Sequence, residues 1–539
     1  MRVFLIHVRD PQFYALPAKT RAKNGNIRVM GFPPIGIMSL SAVLKRGGRE
    51  CVLFDQANPE TPNEVILEEI RRQRPGLVGL SFLSTTSYPY AKLLARKVRA
   101  VEPEVRLAFG GVFATLNAER VKRQCPEVDF VCRGDGEQLI LDLTERLDDP
   151  SEVAGITWAR DGEVVHNLDR PLDRNLDQWP FPDRESLPLD FVESMPLDVP
   201  AVLSLERFTT MQTSRGCPWP CVFCDIPVFS EGKWRSRSPE HVIAELEQLQ
   251  AEGYGSVYFV DDHFLLQPKR IEAICKGIND RDLHVEWGCE GRVDSVCQHL
   301  FPDMAKAHCR TLMLGVESGS QKVLDRLQKE QTLAEVEATV TNAKAAGIGI
   351  VHGFFVVGSP DETVEDVRAT FDFAARLALD TFGFNRLCVY RGTPLWKEYV
   401  ERGLVDDERD WYKYFKCTEI DPTCLSGETV NRERTAGFRR LFRYKIRHYP
   451  LQTARLLWRF FRHMRMRDVL YLIVKPFLGA KRGATKAELV SRAVEHGASK
   501  DAAAALTKLN DDMLEKAYGT ELERRAYSRE VASVTRADT

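Results

Sequence analysis

Residues 214–224 read Ser-Arg-Gly-Cys-Pro-Trp-Pro-Cys-Val-Phe-Cys, a short loop that carries three thiols. Cys217, Cys221 and Cys224 are spaced C-x3-C-x2-C, and the stretch Thr209–Thr213 directly before the loop predicts a buried strand. Three thiolates on one loop suit three corners of a cubane iron–sulfur cluster, which leaves the fourth iron without a protein ligand. The loop therefore predicts a cluster that is open to a chelating small molecule.

Zinc is the main alternative for this loop. A zinc site would normally need a fourth cysteine or histidine nearby, and the next histidine, His241, lies seventeen residues after Cys224 in a helical pattern. The cysteines also follow directly on a predicted strand, which is where a parallel barrel places its chemistry. An iron–sulfur cluster is therefore the preferred interpretation, and zinc or a chance spacing are the weaker ones.

Alternating strand and helix patterns continue beyond the loop and predict the fold of this half of the chain. Six strand–helix units predict a partial parallel barrel, with its site at the carboxyl ends of the strands. After Thr209–Thr213, the predicted strands are Ser256–Val260, Val285–Cys289, Thr311–Val316, Ile350–Val357 and Thr381–Val389. The predicted helices are Pro239–Ala251, Lys269–Gly277, Leu333–Ala346 and Thr363–Leu377.

The first 150 residues show the same alternation, which predicts a doubly wound parallel sheet with helices on both faces. Its predicted strands are Val3–Val8, Cys51–Asp55, Leu77–Phe82, Val105–Phe109 and Asp129–Cys132. Its predicted helices are Ile35–Lys45, Glu64–Gln73, Tyr90–Val101 and Asn117–Gln124. Ligands of such sheets bind at the carboxyl ends of the strands. Small and hydroxyl residues follow the third and fourth strands, at 81–86 and 110–115, and form either a ligand site or tight turns.

These patterns divide an α/β chain of 539 residues into four regions. Residues 1–150 form the sheet domain, 151–204 a hairpin and Pro-rich linker, 205–420 the barrel, and 421–539 a helical region. The net charge of −2 argues against a general nucleic-acid binder. The chain shows no secretion signal and no apolar run long enough to span a membrane, and its thirteen cysteines form no disulfide pattern. A cytoplasmic, reducing environment is therefore expected.

The motif C-x3-C-x-F-C after a first barrel strand resembles the radical S-adenosylmethionine (SAM) superfamily. The resemblance implies that Cys217, Cys221 and Cys224 bind a [4Fe–4S] cluster whose open iron is chelated by SAM. It implies reductive cleavage of SAM to a 5′-deoxyadenosyl radical, with Phe223 near the adenine. Similar segments at the ends of later strands imply further SAM contacts by Asp262, Arg292, Glu317, Ser318 and Gly358. For Asp262 and Arg292 the alternative is a structural ion pair.

The sheet domain before the barrel resembles the cobalamin-binding members of this superfamily. The motif Gly110-Gly111-x3-Thr115 and the stretch 128–137 carry the resemblance. It implies cobalamin at the sheet, with contacts from Ser81, Ser84, Gly110, Gly111 and Thr115. The chain departs from other cobalamin domains because it lacks the D-x-H-x-x-G motif, so no histidine of that motif can bind the cobalt.

The family resemblance implies an enzyme that transfers a methyl group from methylcobalamin to an unactivated carbon or phosphorus, in a hydrophobic or secondary-metabolite substrate. Other members perform radical cyclisation or rearrangement. The loop also resembles tRNA methylthiotransferases, and a non-enzymatic cobalamin-binding module is the alternative outside enzymes. A small-molecule substrate and a flavodoxin- or ferredoxin-type electron donor are expected.

A basic segment, residues 434–482, holds fourteen Lys or Arg against one acidic residue, with aromatic and aliphatic residues between them. Such a stretch predicts either peripheral attachment to the inner face of the membrane or a helix that packs on the barrel. Nucleic-acid binding is the third interpretation. Membrane attachment would favour a hydrophobic substrate such as a lipid, an isoprenoid or a tetrapyrrole.

Overall fold

The computed structural model describes residues 1–8, 32–58, 61–187, 207–294, 296–413 and 415–461. These residues form two large sheets, each covered by helices. The predicted combination of a doubly wound sheet and a partial barrel is confirmed.

The first sheet has seven strands in the order β2-β1-β3-β4-β5-β6-β7. Strands β1 to β5 pair in parallel, and apolar clusters on both faces join the sheet to its helices. The strands are β1 Arg2–His7, β2 Glu50–Asp55, β3 Leu77–Ser81, β4 Arg106–Gly110, β5 Phe130–Cys132, β6 Ile156–Arg160 and β7 Glu163–His166. The helices are Ile35–Arg46, Asn63–Gln73, Tyr88–Val101, Val112–Leu116, Ala118–Gln124 and Glu137–Glu145.

The hairpin predicted after residue 150 is β6 and β7. It pairs antiparallel with β5 and extends the first sheet to His166. Its turn places Asp161 at φ 52° and Gly162 at φ 85°. This conformation suits an Asp-Gly turn because glycine adopts positive φ without steric cost. Leu176–Gln178 is a short 3-10 helix in the Pro-rich stretch that follows.

The second sheet has six parallel strands, and its order β15-β14-β13-β12-β11-β8 is the chain order. Within the described ranges β15 and β8 do not pair, so the barrel is open on one side. The strands are β8 Phe208–Met211, β11 Ser256–Phe259, β12 Glu286–Arg292, β13 Cys309–Glu317, β14 Ile350–Val357 and β15 Thr381–Arg386. Two short ribbons flank it, β9 Ser214–Arg215 with β10 Arg235–Ser236, and β16 Cys388–Val389 with β17 Phe415–Lys416.

Helices cover the outer face of the barrel, and the large apolar core lies between them and the strands. They are Ile226–Phe229, Pro239–Ala251, Pro268–Asp280, Phe301–Lys306, Gln321–Arg326, Leu333–Ala345, Val364–Arg376, Pro394–Glu401, Cys417–Ile420, Gly427–His448 and Pro450–Phe461. Short 3-10 turns lie at Phe264–Leu266 and Gln298–Leu300. Outward-facing strand residues such as Leu312 and Val351 are fully buried, which anchors the helices on the strands.

The helix Gly427–His448 packs along Val364–Arg376, so the first part of the predicted helical region belongs to the barrel. Gly437 is the point of closest approach, because a Cβ there would lie 2.3 Å from the ring of Phe371. About two turns further along the helix, Lys445 is buried and its Nζ donates to the carbonyl oxygen of Leu379 at 2.9 Å. Residues 462–539, which include the rest of the basic segment, lie outside the described residues.

We expect Gly437→Val to loosen this helix, since the added side chain collides with the Phe371 ring. Overpacking of this kind costs about 1–3 kcal/mol of stability. Thermal unfolding should show a lower midpoint. Gly36→Ala is the matched control, because a Cβ at Gly36 meets no atom within 4 Å and lies inside a helix. A thermal unfolding midpoint unchanged by Gly437→Val would contradict the close packing of this helix against Phe371.

Candidate active site

The cysteine loop leaves β9 at Gly216, where the backbone requires glycine. The φ of Gly216 is 88°, and a Cβ would lie 2.1 Å from the carbonyl oxygen of Lys233. The Gly216 N–H donates to Asp262 Oδ2 at 2.7 Å, which ties the loop to the end of β11. The neighbouring Asp261 is buried and accepts the Thr213 N–H at 2.6 Å. Two adjacent carboxylates therefore hold the loop at the carboxyl ends of the barrel strands.

The three thiols of this loop differ in exposure. Cys221 is buried, and Cys217 and Cys224 are partly buried. Burial raises the pKa of Cys217, and it raises the pKa of Cys224 to about 12. Arg292 and Lys329 oppose the effect at Cys217, because their positive charges favour its thiolate. The loop thus meets a cationic wall, which suits a site that must hold thiolates.

No three His, Cys, Asp or Glu side chains in the described part of the chain are close enough to bind a single metal ion. This finding is compatible with a cubane cluster. The three thiolates of a cubane bind different iron atoms and therefore stand farther apart than the ligands of a single ion. Binding of the cluster takes the thiolate form, so it would displace the thiol protons.

Arg292 lies against the cysteine loop and is also held in an ion pair. Its Nη1 is 3.5 Å from Cys221 Sγ, and its guanidinium lies 4.1 Å from the centre of the Trp219 ring. Its Nε donates to Asp294 Oδ1 at 2.8 Å. Arg292 therefore forms an ion pair, as the alternative interpretation held, and it also lies beside the thiols.

A second ion pair lies at the end of β13. Lys329 Nζ donates to Glu317 Oε1 at 2.7 Å, and both side chains are buried. Glu317 has a φ of 65°, an unusual conformation for a residue with a side chain. Strained backbone of this kind often accompanies a functional position. Arg292, Lys329 and Glu317 bring two cations and one carboxylate to the open end of the barrel beside the cysteine loop.

The other predicted SAM contacts have different surroundings. Asp262 is at the rim, and desolvation by the protein around it raises its pKa to about 6. Ser318 is buried, with its hydroxyl 3.0 Å from Thr370 Oγ1 on the helix Val364–Arg376. A Cβ at Gly358 would lie 2.4 Å from Thr418 Cγ2, so this turn needs glycine. Phe223 packs on the apolar cluster beside the loop. The roles of these residues remain predictions.

The residues predicted to contact cobalamin lie at one edge of the first sheet. In the strand register His7 is opposite Asp55 on one side and Ser81 on the other, and Ser81 is opposite Gly110. The strand ends therefore form a single row. Gly110 meets no atom within 4 Å of an added Cβ, so the edge is open at this point.

The loop after β4 is closely packed beyond this opening. Gly111 has a φ of 102°, and a Cβ there would lie 2.2 Å from the carbonyl oxygen of Phe82. Thr115 Oγ1 accepts the N–H of Gly134 at 3.2 Å. Ser84 Oγ lies 2.9 Å from Thr86 Oγ1. Gly111, Thr115 and Ser84 thus build tight turns, as one interpretation of the sequence held, and their contact with cobalamin remains a prediction.

Residues 211–374 match the family model of the radical SAM superfamily, and residues 29–144 match that of the B12 binding domain. An uncharacterised methyltransferase of Pyrococcus horikoshii is 33% identical over 402 residues, covering 73% of this chain and 84% of that protein. The chain belongs to the cobalamin-binding radical SAM enzymes.

One further relative agrees with this family, and one solved structure shares the fold. The anaerobic magnesium-protoporphyrin IX monomethyl ester cyclase of Rubrivivax gelatinosus is 28% identical over 84% of this chain and 79% of that protein. The cobalamin-dependent SAM radical enzyme OxsB, solved with aqua-cobalamin and SAM bound, has a TM-score of 0.64 at 17% identity. That likeness covers 88% of this chain and 75% of OxsB.

A member of this family uses a [4Fe–4S] cluster, SAM and cobalamin, and the geometry of this chain fits all three. The loop that carries three thiols, with Arg292 and Lys329 beside it, suits a cluster. The cations of Arg292 and Lys329 suit the SAM carboxylate, and the carboxyl group of Asp262 at the rim suits its ammonium. The open row at Gly110 suits a large ligand over the strand ends.

Sequence reasoning missed Lys329, Asp294 and Asp261 as members of the site. Lys329 follows the helix Gln321–Arg326 and reaches Glu317 only through the fold, so no spacing rule identifies it. For Asp261 a signal existed, because it precedes Asp262 at the end of a predicted strand. Only Asp262 of the pair was predicted to contact SAM, and the structure turns Asp261 inward to the Thr213 N–H and the Ser214 hydroxyl.

Anaerobically reconstituted protein should hold about four iron atoms per chain, the content of one cubane cluster. We expect Cys217→Ala, Cys221→Ala and Cys224→Ala each to lose most of this iron and to abolish 5′-deoxyadenosine formation from SAM under reducing conditions. Cys275→Ala is the matched control, because this thiol lies in the apolar core. Full SAM cleavage in all three loop variants would contradict the assignment of the cluster ligands.

Proposed function

We propose that the enzyme methylates an unactivated carbon atom of a hydrophobic small molecule. When bound, the reduced cluster supplies the electron that cleaves SAM, and cobalamin supplies the methyl group. The protein's part is to hold the substrate between the two cofactor sites and to exclude water and oxygen. In this proposal Arg292, Lys329 and Asp262 hold the charged groups of SAM.

The observation that carries the substrate class is the inner face of the barrel. Tyr258 and Met313 are buried there, with further apolar side chains packed against them. Phe32, which precedes the first described helix of the sheet domain, stacks on Tyr258 at 5.6 Å between ring centres. The packed side chains are Phe32, Phe208, Val260 and Phe354. Aromatic walls with few polar groups are typical of sites for apolar ligands.

Two polar groups adjoin these apolar side chains. Tyr258 Oη donates to Glu290 Oε1 at 2.9 Å, and burial raises the pKa of Glu290. His352 lies 2.8 Å from Thr381 Oγ1 through Nδ1, and its buried Nε2 has no hydrogen-bond partner among the described residues. Burial lowers the pKa of His352 to about 4, so the ring is neutral at pH 7. A neutral imidazole in an aromatic wall favours an uncharged polar group, such as a hydroxyl, on an otherwise apolar substrate.

Radical cyclisation is the second candidate, because a cyclase is 28% identical over most of the chain. The name of that cyclase describes a tetrapyrrole substrate, which is large, flat and hydrophobic. Such a molecule would suit the same aromatic face. The two candidates differ in the mass of the product.

Anaerobic incubation with SAM, a flavodoxin-type or chemical reductant and cobalamin should convert one compound in extracts of a deletion strain. Methyl transfer adds one methylene to the mass of that compound, and label from methyl-deuterated SAM appears in the product. Cyclisation removes hydrogen and takes up no label. A charged, sugar-like substrate would contradict the substrate class, and an unlabelled product would favour the second candidate.

We also propose that the basic segment attaches the enzyme to anionic membranes, which would deliver a hydrophobic substrate. Within the described ranges no helix combines the length and hydropathy needed to cross a membrane. The inner face of Gly427–His448 packs on the barrel, but its outer face and that of Pro450–Phe461 expose large apolar side chains. Phe442, Ile446, Leu451 and Trp458 are 54%, 58%, 75% and 63% exposed. Arg439, Arg443, Arg447 and Arg455 are exposed around them.

Vesicle sedimentation tests this surface. The wild-type protein should bind anionic vesicles more strongly than neutral ones, and each exposed arginine near the surface contributes on the order of 1 kcal/mol. Salt should weaken the electrostatic part and leave the apolar part. Replacement of Arg443, Arg447 and Arg455 by Glu should reduce binding, whereas the surface control Arg146→Glu should not. A wild-type protein that ignores anionic vesicles at low salt would contradict the attachment.

A further inference from the structure

A buried cluster of ion pairs joins the two halves of the enzyme directly at the cysteine loop. Asp135 and Glu137 follow β5 of the first sheet, and both are buried. Both face Arg215 on β9, two residues before Cys217. Arg215 Nη2 lies 2.5 Å from Glu137 Oε1, and its Nη1 lies 3.2 Å from Glu137 Oε2 and 3.3 Å from Asp135 Oδ1. The guanidinium therefore binds Glu137 through two nitrogens and Asp135 through one.

A second arginine completes the cluster from β10. Arg235 is the register partner of Arg215 in the β9–β10 ribbon, and its Nη1 donates to Asp135 Oδ2. The same nitrogen donates to the carbonyl oxygen of Asp173 at 3.1 Å. The Asp173 N–H in turn donates to Asp135 at 3.4 Å. Asp135 is thus bound from three sides, by both strands of the ribbon and by the linker.

The cluster continues into the loop that is proposed to contact cobalamin. Gly134, next to Asp135, donates its N–H to Thr115 Oγ1 at 3.2 Å. Thr115 belongs to the motif that begins at Gly110, at the open row of strand ends. On the other side, Arg215 is bonded to Gly216, whose turn sets the direction of the cysteine loop. A short path of hydrogen bonds and ion pairs therefore leads from one proposed cofactor site to the other.

Stability alone gives no reason for charges at this position. Buried ion pairs often stabilise a fold no better than apolar side chains of similar volume, because desolvation offsets their attraction. Burial would raise the pKa of Asp135, but Arg215 and Arg235 outweigh burial and hold the pKa below its usual value. An ion-pair cluster instead fixes the relative orientation of the segments it joins, since a guanidinium bound by two carboxylates has one favourable orientation.

We propose that Asp135, Glu137, Arg215 and Arg235 form a positioning clamp that fixes the cobalamin edge of the first sheet relative to the cysteine loop. The clamp rests on the proposed placement of the two cofactors. A substrate held between them must meet both in the correct geometry, and displacement by about 1 Å can cost a hundredfold in rate. None of the four residues needs to touch a cofactor, so each is a positioning residue.

Pulsed electron paramagnetic resonance can test the clamp without knowledge of the substrate. Reduced cluster and cob(II)alamin are both paramagnetic, so their magnetic coupling reports the distance between them. The wild-type enzyme should give one narrow distance distribution. Glu137→Gln and Asp135→Asn should broaden or shift it, while iron content, cobalamin content and 5′-deoxyadenosine formation stay at wild-type levels. Arg215→Lys keeps the charge but loses the two-nitrogen grip, and an intermediate broadening is expected.

The matched control is Glu152→Gln, which removes an acidic partner of Arg146 from an exposed pair of the same domain. It should leave the distance distribution narrow. If Glu137→Gln fails to load its cofactors, Arg215→Lys decides, because it retains the buried charge balance. A narrow distance that is unchanged in the variants overturns the clamp alone. A wild-type enzyme that loads both cofactors at no fixed distance overturns the clamp and the proposed placement together.

Discussion

The turn at Gly216 is the constraint on which the rest of the site depends. A side chain at this position would collide with the carbonyl oxygen of Lys233, and the backbone conformation itself favours glycine. Asp262 holds the N–H of the turn, and Asp261 holds the residues before it. The direction of the cysteine loop is therefore set by backbone contacts before any cluster binds. Since the loop starts at β9, whatever fixes Arg215 also fixes the thiols.

The regular elements could be predicted from the sequence because their patterns are local. Ile350–Val357 and Pro239–Ala251 are found with the predicted bounds at both ends. The helix has Ser238 as its N-cap, which accepts the His241 N–H, and proline in its first turn. The strand Val285–Cys289 was predicted too short, because β12 runs to Arg292. Its last residues place polar side chains on the inner face of the barrel, so the apolar pattern stops before the strand does.

The contacts that define the site could be predicted only in part. The three cysteines and Asp262 are readable because they stand next to one another or at strand ends. The ion pairs beside them are not, since Lys329 meets Glu317 and Asp135 meets Arg215 only through the fold. The helix Glu137–Glu145 was missed for a related reason. Its first residue is a buried carboxylate whose partner, Arg215, lies 78 residues away, so the local sequence gives no reason to bury it.

The basic segment shows why two interpretations of one pattern need not exclude each other. Leu441 and Lys445 lie on the face that packs against the barrel, and Phe442 and Ile446 lie one residue further around the helix and are exposed. The pattern of apolar and basic residues in the sequence cannot distinguish these two faces, because both are rich in apolar residues. Basic residues also lie on both faces. Lys445 is buried and binds main-chain carbonyl oxygens, so it cannot contribute to binding a lipid headgroup.

The cysteines of the loop differ in their surroundings from those of the apolar core, and this difference helps to explain why a cluster would assemble on the loop. Cys275 and Cys289 lie in the apolar core behind the barrel, where burial raises the pKa of each thiol well above its usual value. Such thiols stay protonated and behave as small apolar side chains. On the loop, burial also opposes ionisation, but Arg292 lies at Cys221 and the turn exposes Cys217 and Cys224 in part. Three thiols on one loop with a cation beside them, rather than the total number of cysteines, therefore favour this site for iron.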